Sequence, residues 1–201
     1  MPNLFIISAP SGCGKTSLVK SLIEQIEDVS VAVSHTTRGP RPGEVDGVNY
    51  FFVSEDRFHQ IINDDGFVEY ANVYENLYGS AKSTINDLLE KNQDVILEID
   101  WQGARQVRKA FKKAVSIFIL PPSIRALKDR LNNRKQDSKS IVEARMNEAI
   151  SEMEHFNEFD YLVINDDFDV ALNDLTKIIH SQRLLLEQQT LHYEDLIKQL
   201  I

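Results

Sequence analysis

Residues 4–19 constrain the fold more than any other part of this chain. Leu4–Ile7 is a short apolar run, Ser8 to Gly14 is a loop of small residues, and Lys15-Thr16 opens a segment with helical apolar spacing at Leu18, Val19, Leu22, Ile23 and Ile26. A strand feeding a glycine loop that feeds a helix is a phosphate-binding arrangement. The loop amides and the positive end of the helix aim at one anion. Gly12 and Gly14 let the backbone approach phosphate oxygens where a Cβ would stand in the way. The stretch departs from G-x-x-x-x-G-K-[ST] at Ala9, which is tolerable while its φ stays negative. Ala9, Pro10, Ser11, Gly12, Cys13, Gly14, Lys15 and Thr16 are therefore expected to cradle a nucleoside triphosphate, with Lys15 on the outer phosphates and the Thr16 hydroxyl on Mg²⁺. Cys13 leaves two readings open. Its place near a helix start and two residues before Lys15 favours a thiolate, whereas free cysteines are usually buried filler.

Beyond the loop, strand signals alternate with helix signals, which predicts an α/β fold with a parallel sheet flanked by helices. Strands are expected at Leu4–Ser8, Val29–Ser34, Val95–Ile99, Val115–Leu120 and Tyr161–Ile164. Helices are expected at Lys15–Ile26, Ser83–Lys91, Ala104–Phe111, Ser123–Asn133, Ile141–Phe156 and Asp169–Gln188, followed by an amphipathic stretch from Leu191 to Leu200. Ser140 with Glu143 reads as a capping box and Asp169 as an N-cap.

Two stretches interrupt the alternation. Residues 35–82 hold turns at Gly39-Pro40, Pro42-Gly43 and Asp46-Gly47, with aromatic-rich strands at Tyr50–Val53 and Phe67–Val73, and read as a small β-rich insertion. Residues 132–140 are entirely polar, either a solvated loop or a lid carrying Arg130, Arg134 and Arg145. The expected organisation is one domain over 1–201, with a core of 1–34, 83–124 and 147–201, an insertion at 35–82 and a lid at about 125–146.

Charge and cysteine usage narrow the partners. A net charge of −9 opposes a polyanion such as DNA or RNA, while a small phosphate ligand needs only a local basic cluster. A single cysteine excludes an internal disulfide framework, and no apolar run approaches membrane-spanning length. No basic leader precedes the first strand. The expectation is a cytoplasmic protein with no nucleic-acid or membrane partner. Its oligomeric state is left open.

A phosphate loop alone serves ATPases, GTPases, small-molecule kinases and transporter subunits. The chain has no Asn-Lys-x-Asp for a GTPase base site. A transport ATPase would need a signature loop and more length. A nucleotide kinase needs a second anion site, and Ser34-His-Thr-Thr-Arg-Gly-Pro-Arg41 offers one. Arg38 and Arg41 lie three apart in a proline-stiffened loop. They either fork onto a monophosphate, with hydroxyls from Ser34 and Tyr50, or are simply solvated.

The run from Ser34 through Arg41-Pro-Gly-Glu-Val-Asp-Gly-Val-Asn-Tyr50 to Val53, then Phe67-Val-Glu-Tyr70, then Tyr78-Gly-Ser80, resembles guanylate kinases. The likeness extends from the phosphate loop to Val163-Ile-Asn-Asp-Asp167. It implies a P-loop kinase with a β-rich GMP-binding insertion and a helical lid, using Mg²⁺ with ATP to phosphorylate GMP and dGMP. It implies that Ser34, Arg38, Arg41, Tyr50 and Tyr78 hold the acceptor phosphate. By the same resemblance, Glu69, Ser80 and Asp100 read guanine, and Arg130, Arg134 and Arg145 close over the transferring group. Ala9 removes neither a donor nor a charge.

Glu69 can also be read from the residues alone. Residues 67, 69, 71 and 73 share one strand face, so Glu69 is a carboxylate among Phe67, Ala71 and Val73. A buried carboxylate needs a partner, and the guanine N1–N2 edge offers two parallel donors where adenine offers an acceptor. The other reading is an edge-strand Glu in water. Asp100 ends an apolar strand, where α/β sheets present ligands; it either orients Mg²⁺ through water or meets the guanine, with Glu98 behind it. Asn165 is a candidate for the adenine side, and His35 is expected to be structural. Two alternatives remain: a kinase for another nucleotide, against which Glu69 and Ser80 argue, and a non-catalytic peptide-binding module. The module could dispense with Lys15 and the glycine loop, which this chain keeps.

Overall fold

A computed structural model describes residues 2–73, 75–132 and 139–201, the side chains of 139–141 excepted. Along the chain run β1 (Leu4–Ser8), α1 (Lys15–Gln25), β2 (Val29–Val31), β3 (His35–Thr36), β4 (Phe51–Phe52) and α2 (Glu55–Asn63). Then come β5 (Phe67–Val73), β6 (Asn76–Ala81), α3 (Lys82–Glu90), β7 (Asp94–Glu98), α4 (Trp101–Ala110) and β8 (Val115–Leu120). The last are α5 (Ile124–Asn132), α6 (Lys139–Met153), β9 (Tyr161–Ile164), α7 (Phe168–Arg183), α8 (Leu186–His192) and α9 (Glu194–Leu200).

All five residues of β1 are buried, because the strand has helices on both sides. Phe5 and Ile7 pack with Leu18 and Leu22 of α1 and Leu172 and Leu175 of α7. Leu4 and Ile6 face the other way, onto Ile85 of α3 and Val107 of α4. Five parallel strands in the order β2-β7-β1-β8-β9 make this sheet, with Leu4 opposite Val95 and Phe5 opposite Val115. Burial on both faces is why these strands read as unbroken apolar runs. The chain leaves β1 toward one edge and β8 toward the other, which opens a crevice at their carboxyl ends.

Residues after β2 cross into a second, four-stranded sheet of order β4-β3-β6-β5. It has its own core: Phe58 of α2 stacks on Phe67 at 4.6 Å between ring centroids, beside Ala81. A third cluster joins α5 and α6 to the phosphate loop, with Cys13 among Leu127, Leu131, Val142, Met146 and Ala149.

The structure departs from the sequence reading at several local points. The expected strand Val29–Ser34 stops at Val31, because the following residues hand the chain to the other sheet. Three elements of the insertion were not anticipated: the two-residue β3, α2 and β6. α2 buries only Phe58, too little for a helical stripe, although Ser54 caps it by accepting from the Arg57 amide. β6 contains Gly79, where a Cβ would lie 3.0 Å from Phe58 and 3.1 Å from Phe67, so the glycine there serves packing. α4 begins at Trp101, three residues before the expected start, because Asp100 caps it. Asp167, not Asp169, is the N-cap of α7, accepting from Val170 N at 3.0 Å. The helix ends at Arg183, and Leu184-Leu185 separates it from α8. Lys139 is already helical, so Ser140 lies inside α6 and not at its cap. Among the described residues, no helix is long and apolar enough to cross a membrane.

Candidate active site

The loop between β1 and α1 turns through two left-handed glycines, Gly12 at φ 90° and Gly14 at φ 87°. Both are also tight: a Cβ on Gly12 would lie 2.9 Å from Leu131, and one on Gly14 2.6 Å from Asn165 Nδ2. Cys13 between them points away from solvent into the α5–α6 cluster, and burial pushes its thiol up to about 12. The thiolate reading of Cys13 is thereby overturned, because burial outweighs the nearby Lys15 and Arg130 charges. Its carbonyl accepts from Asn165 Nδ2 at 2.7 Å, and the Asn165 carbonyl accepts from Arg130 Nη2 at 2.8 Å. Asn165, expected on the adenine side, is buried and braces the loop through this bond.

One cavity of about 260 Å³ gathers most of the expected site residues. The loop, Lys15 and Thr16 form one wall, and Ser34, Arg41, Tyr50, Glu69 and Tyr78 form the facing one. Glu98 and Asp100 lie between them, at the carboxyl end of β7. The Thr16 hydroxyl donates to Glu98 Oε2 at 3.1 Å, so Glu98, which the sequence placed behind Asp100, belongs to the site itself. Asp100 is oriented by its own helix start. Its Oδ1 accepts from Gly103 N and its Oδ2 from Gln102 Nε2, each at 2.9 Å.

β5 buries alternate residues as the pattern requires, and Glu69 is 3% exposed. Ser80 Oγ donates to Glu69 Oε1 at 2.6 Å, and the Ser34 and Ser80 hydroxyls lie 3.4 Å apart. Burial, reinforced by the Asp100 charge, pushes the Glu69 carboxyl up to about 7, against the pull of Ser80 and Lys15. Room for this side chain comes from Gly103, where a Cβ would meet Glu69 Oε2 at 2.5 Å.

Behind the facing wall and not lining the cavity, Arg38 Nη2 donates to Glu44 Oε1 at 2.8 Å, and its guanidinium lies 5.4 Å from the Tyr50 ring centroid. The Arg41 amide donates to Glu44 Oε2 at 2.7 Å. Glu44 therefore ties both arginines together, and its Arg38 hydrogen bond holds its carboxyl below the usual range. Sequence reasoning missed Glu44, although an acid three residues after Arg41 in a Pro-Gly turn was a visible signal. Burial, with the Glu98 charge, pushes the Tyr50 phenol up to about 12, so its hydroxyl stays a donor. His35 packs against Phe51 and Phe67 at 4.8 and 5.5 Å, and burial lowers its pKa, in keeping with a structural role.

A second acid was missed with no local signal at all. Glu152 reaches the cavity from the last turn of α6. Burial pushes its carboxyl up to about 7, with Glu148 and Asp100 adding to the shift and Lys15 and the Ser11 amide opposing it. The expected lid arginines fall differently. Arg130 and Arg145 lie off the cavity wall, and Arg130 keeps Nη1 buried without a partner. Arg134 lies outside the described residues.

Residues 1–182 match the guanylate kinase family. The guanylate kinase of Methylobacillus flagellatus is 54% identical over 199 residues, which is 99% of this chain and 98% of that protein. The guanylate kinase of Methylococcus capsulatus is 52% identical, with 98% and 97% covered. Among solved structures, the guanylate kinase of Anaplasma phagocytophilum superposes with a TM-score of 0.78 at 28% identity, over 92% of this chain and 88% of that one.

Proposed function

The chain belongs to the guanylate kinase family, and from that premise we propose how its cavity carries out phosphoryl transfer. The enzyme moves the γ-phosphoryl group of ATP to GMP, giving ADP and GDP. The observation that supports the residue assignments is that Lys15 and Thr16 face Glu69, Arg41 and two tyrosines across a single cavity.

In this reading the loop amides of residues 9–14 and the Lys15 ammonium hold the triphosphate. Ser34, Arg38, Arg41, Tyr50 and Tyr78 hold the GMP phosphate. Glu69 accepts from guanine N1 and N2 while Ser80 keeps the carboxylate in place, and Asp100 contributes from the base side. The recognition groups address base and phosphate, so dGMP is a second acceptor. The attacking phosphate oxygen of GMP is already ionised, so positioning and charge neutralisation suffice and no general base is required. Arg130, Arg134 and Arg145 are assigned to the closing lid (about 125–146), and residues 35–82 to GMP binding. Closure excludes water that would otherwise consume ATP.

Mg²⁺ suits the donors present. Thr16, Glu98 and Asp100 are all oxygen ligands beside the loop, and no larger metal-binding cluster occurs among the described residues. Such a set matches an ion that keeps waters and takes its other ligands from substrate phosphates. Bound there, it would supply charge neutralisation for the triphosphate. Thr16 and Asp100, the latter through water, are the residues assigned to hold it. The reducing cytoplasm, where both substrates reside, is the proposed location.

The test is a coupled assay over the nucleoside monophosphates, with Lys15→Met alongside. GMP and dGMP are expected to turn over while AMP, CMP and UMP do not, and folded Lys15→Met is expected to lose transfer. Equal turnover of AMP would overturn the Glu69 assignment, and an active Lys15→Met would remove the loop lysine from the mechanism.

A further inference from the structure

Helix α6 touches the phosphate loop in two chemically different ways. Its apolar residues Val142, Met146 and Ala149 pack with Cys13. One turn further on, Glu152 enters the cavity on which Ser11, Gly12 and Lys15 also open. The charges facing Glu152 come from three other places: Lys15 on α1 and the Ser11 amide favour its carboxylate, whereas Asp100 before α4 and Glu148 on its own helix oppose it. A carboxylate drawn to a loop amide and the loop lysine uses groups that a phosphate oxygen would use.

We propose that Glu152 is an internal stand-in for phosphate, competing with the triphosphate of ATP for the Ser11 amide and Lys15, so that ATP binds as Glu152 withdraws. This rests on residues 9–16 being the triphosphate site. Glu152 sits in the last turn of α6. Just beyond it, His155 stacks on Trp101 at 3.7 Å, next to Asp100. ATP affinity is thus lowered by the fraction of time Glu152 holds the loop.

Glu152→Gln keeps the shape and removes the charge. Calorimetric titrations compare it with the wild-type enzyme using inorganic triphosphate, ATP and GMP in turn. If Glu152 holds the loop for nine-tenths of the time, Glu152→Gln binds inorganic triphosphate and ATP about tenfold more tightly, with GMP affinity unchanged. A residue with a merely structural role would not give tighter binding on removal. Unchanged or weaker triphosphate binding overturns the proposal. Glu152→Ala is titrated in the same way, in case the amide finds a partner of its own. Lys15→Met separates the two layers: if it binds inorganic triphosphate as well as wild type does, the loop assignment fails, and if it loses binding, the loop assignment holds and the Glu152 titrations alone decide the competition.

Discussion

At the residue scale, Glu69 sets how the enzyme responds to pH. Its carboxyl sits near 7 in the fold against an ordinary value of 4.5, so the native state binds a proton there that the unfolded chain releases. Glu69 therefore destabilises the fold increasingly as pH rises through that window, with the full cost present above 7. In the proposed assignment guanine pairs with the ionised form, so GMP affinity is expected to fall as pH drops below about 7, with proton uptake or release read from calorimetry in buffers of different ionisation enthalpy. Glu69→Gln is expected to cost about 2–3 kcal/mol in kcat/KM for GMP. Gly103→Ala tests the same carboxylate from behind. Its Cβ would lie 2.5 Å from Glu69 Oε2, and displacement of the acid is expected to cost about 1–3 kcal/mol in GMP recognition, with ATP binding retained. Glu69 was legible in the sequence because strand alternation put it among apolar residues. The burial of Cys13 was not, because the helices that cover it lie far along the chain. An alkylating reagent is accordingly expected to leave Cys13 unlabelled in the folded enzyme at neutral pH and to label it once denaturant unfolds the chain.

At the scale of elements, the five strands of the parallel sheet were readable because each carries its burial in its own apolar run. The insertion was readable only as a turn-rich interruption. α2 presents one buried residue, and β6 places a glycine where β propensity expects a side chain, so neither declares itself without its partner. Those two elements nevertheless build a core separate from that of the parallel sheet. Phe58→Ala is expected to cost about 3–5 kcal/mol of stability there. The loss should be local: GMP binding by calorimetry should vanish before ATP binding does, and hydrogen exchange should rise first in β5 and β6.

At the scale of the molecule, the parallel sheet fixes the phosphate loop while the second sheet and the α5–α6 pair bring their groups to it. Local sequence was enough to put residues 9–16 where β1 passes into α1, and to pick out Arg41 and Asp100, which line the cavity. It could not place Asn165 under the loop or Glu152 inside the cavity, since both positions follow from how distant segments pack. Across the end of that α5–α6 unit, Arg105 grips Glu158 through two hydrogen bonds of 2.6 and 2.5 Å and lies 4.5 Å from the Trp101 ring, on which His155 stacks.

Trp101 is the only tryptophan in the chain, so the protein carries a single optical gauge, mounted where α4 meets the exit of α6. A stacked imidazole quenches an excited indole, and the quenching fades as the rings part. If displacement of Glu152 by ATP shifts the end of α6, steady-state emission excited at the indole band is expected to brighten, with no label attached. His155→Leu should leave the emission bright from the start and flat through the titration. A wild-type signal indifferent to ATP would mean that this joint stays shut while the nucleotide binds.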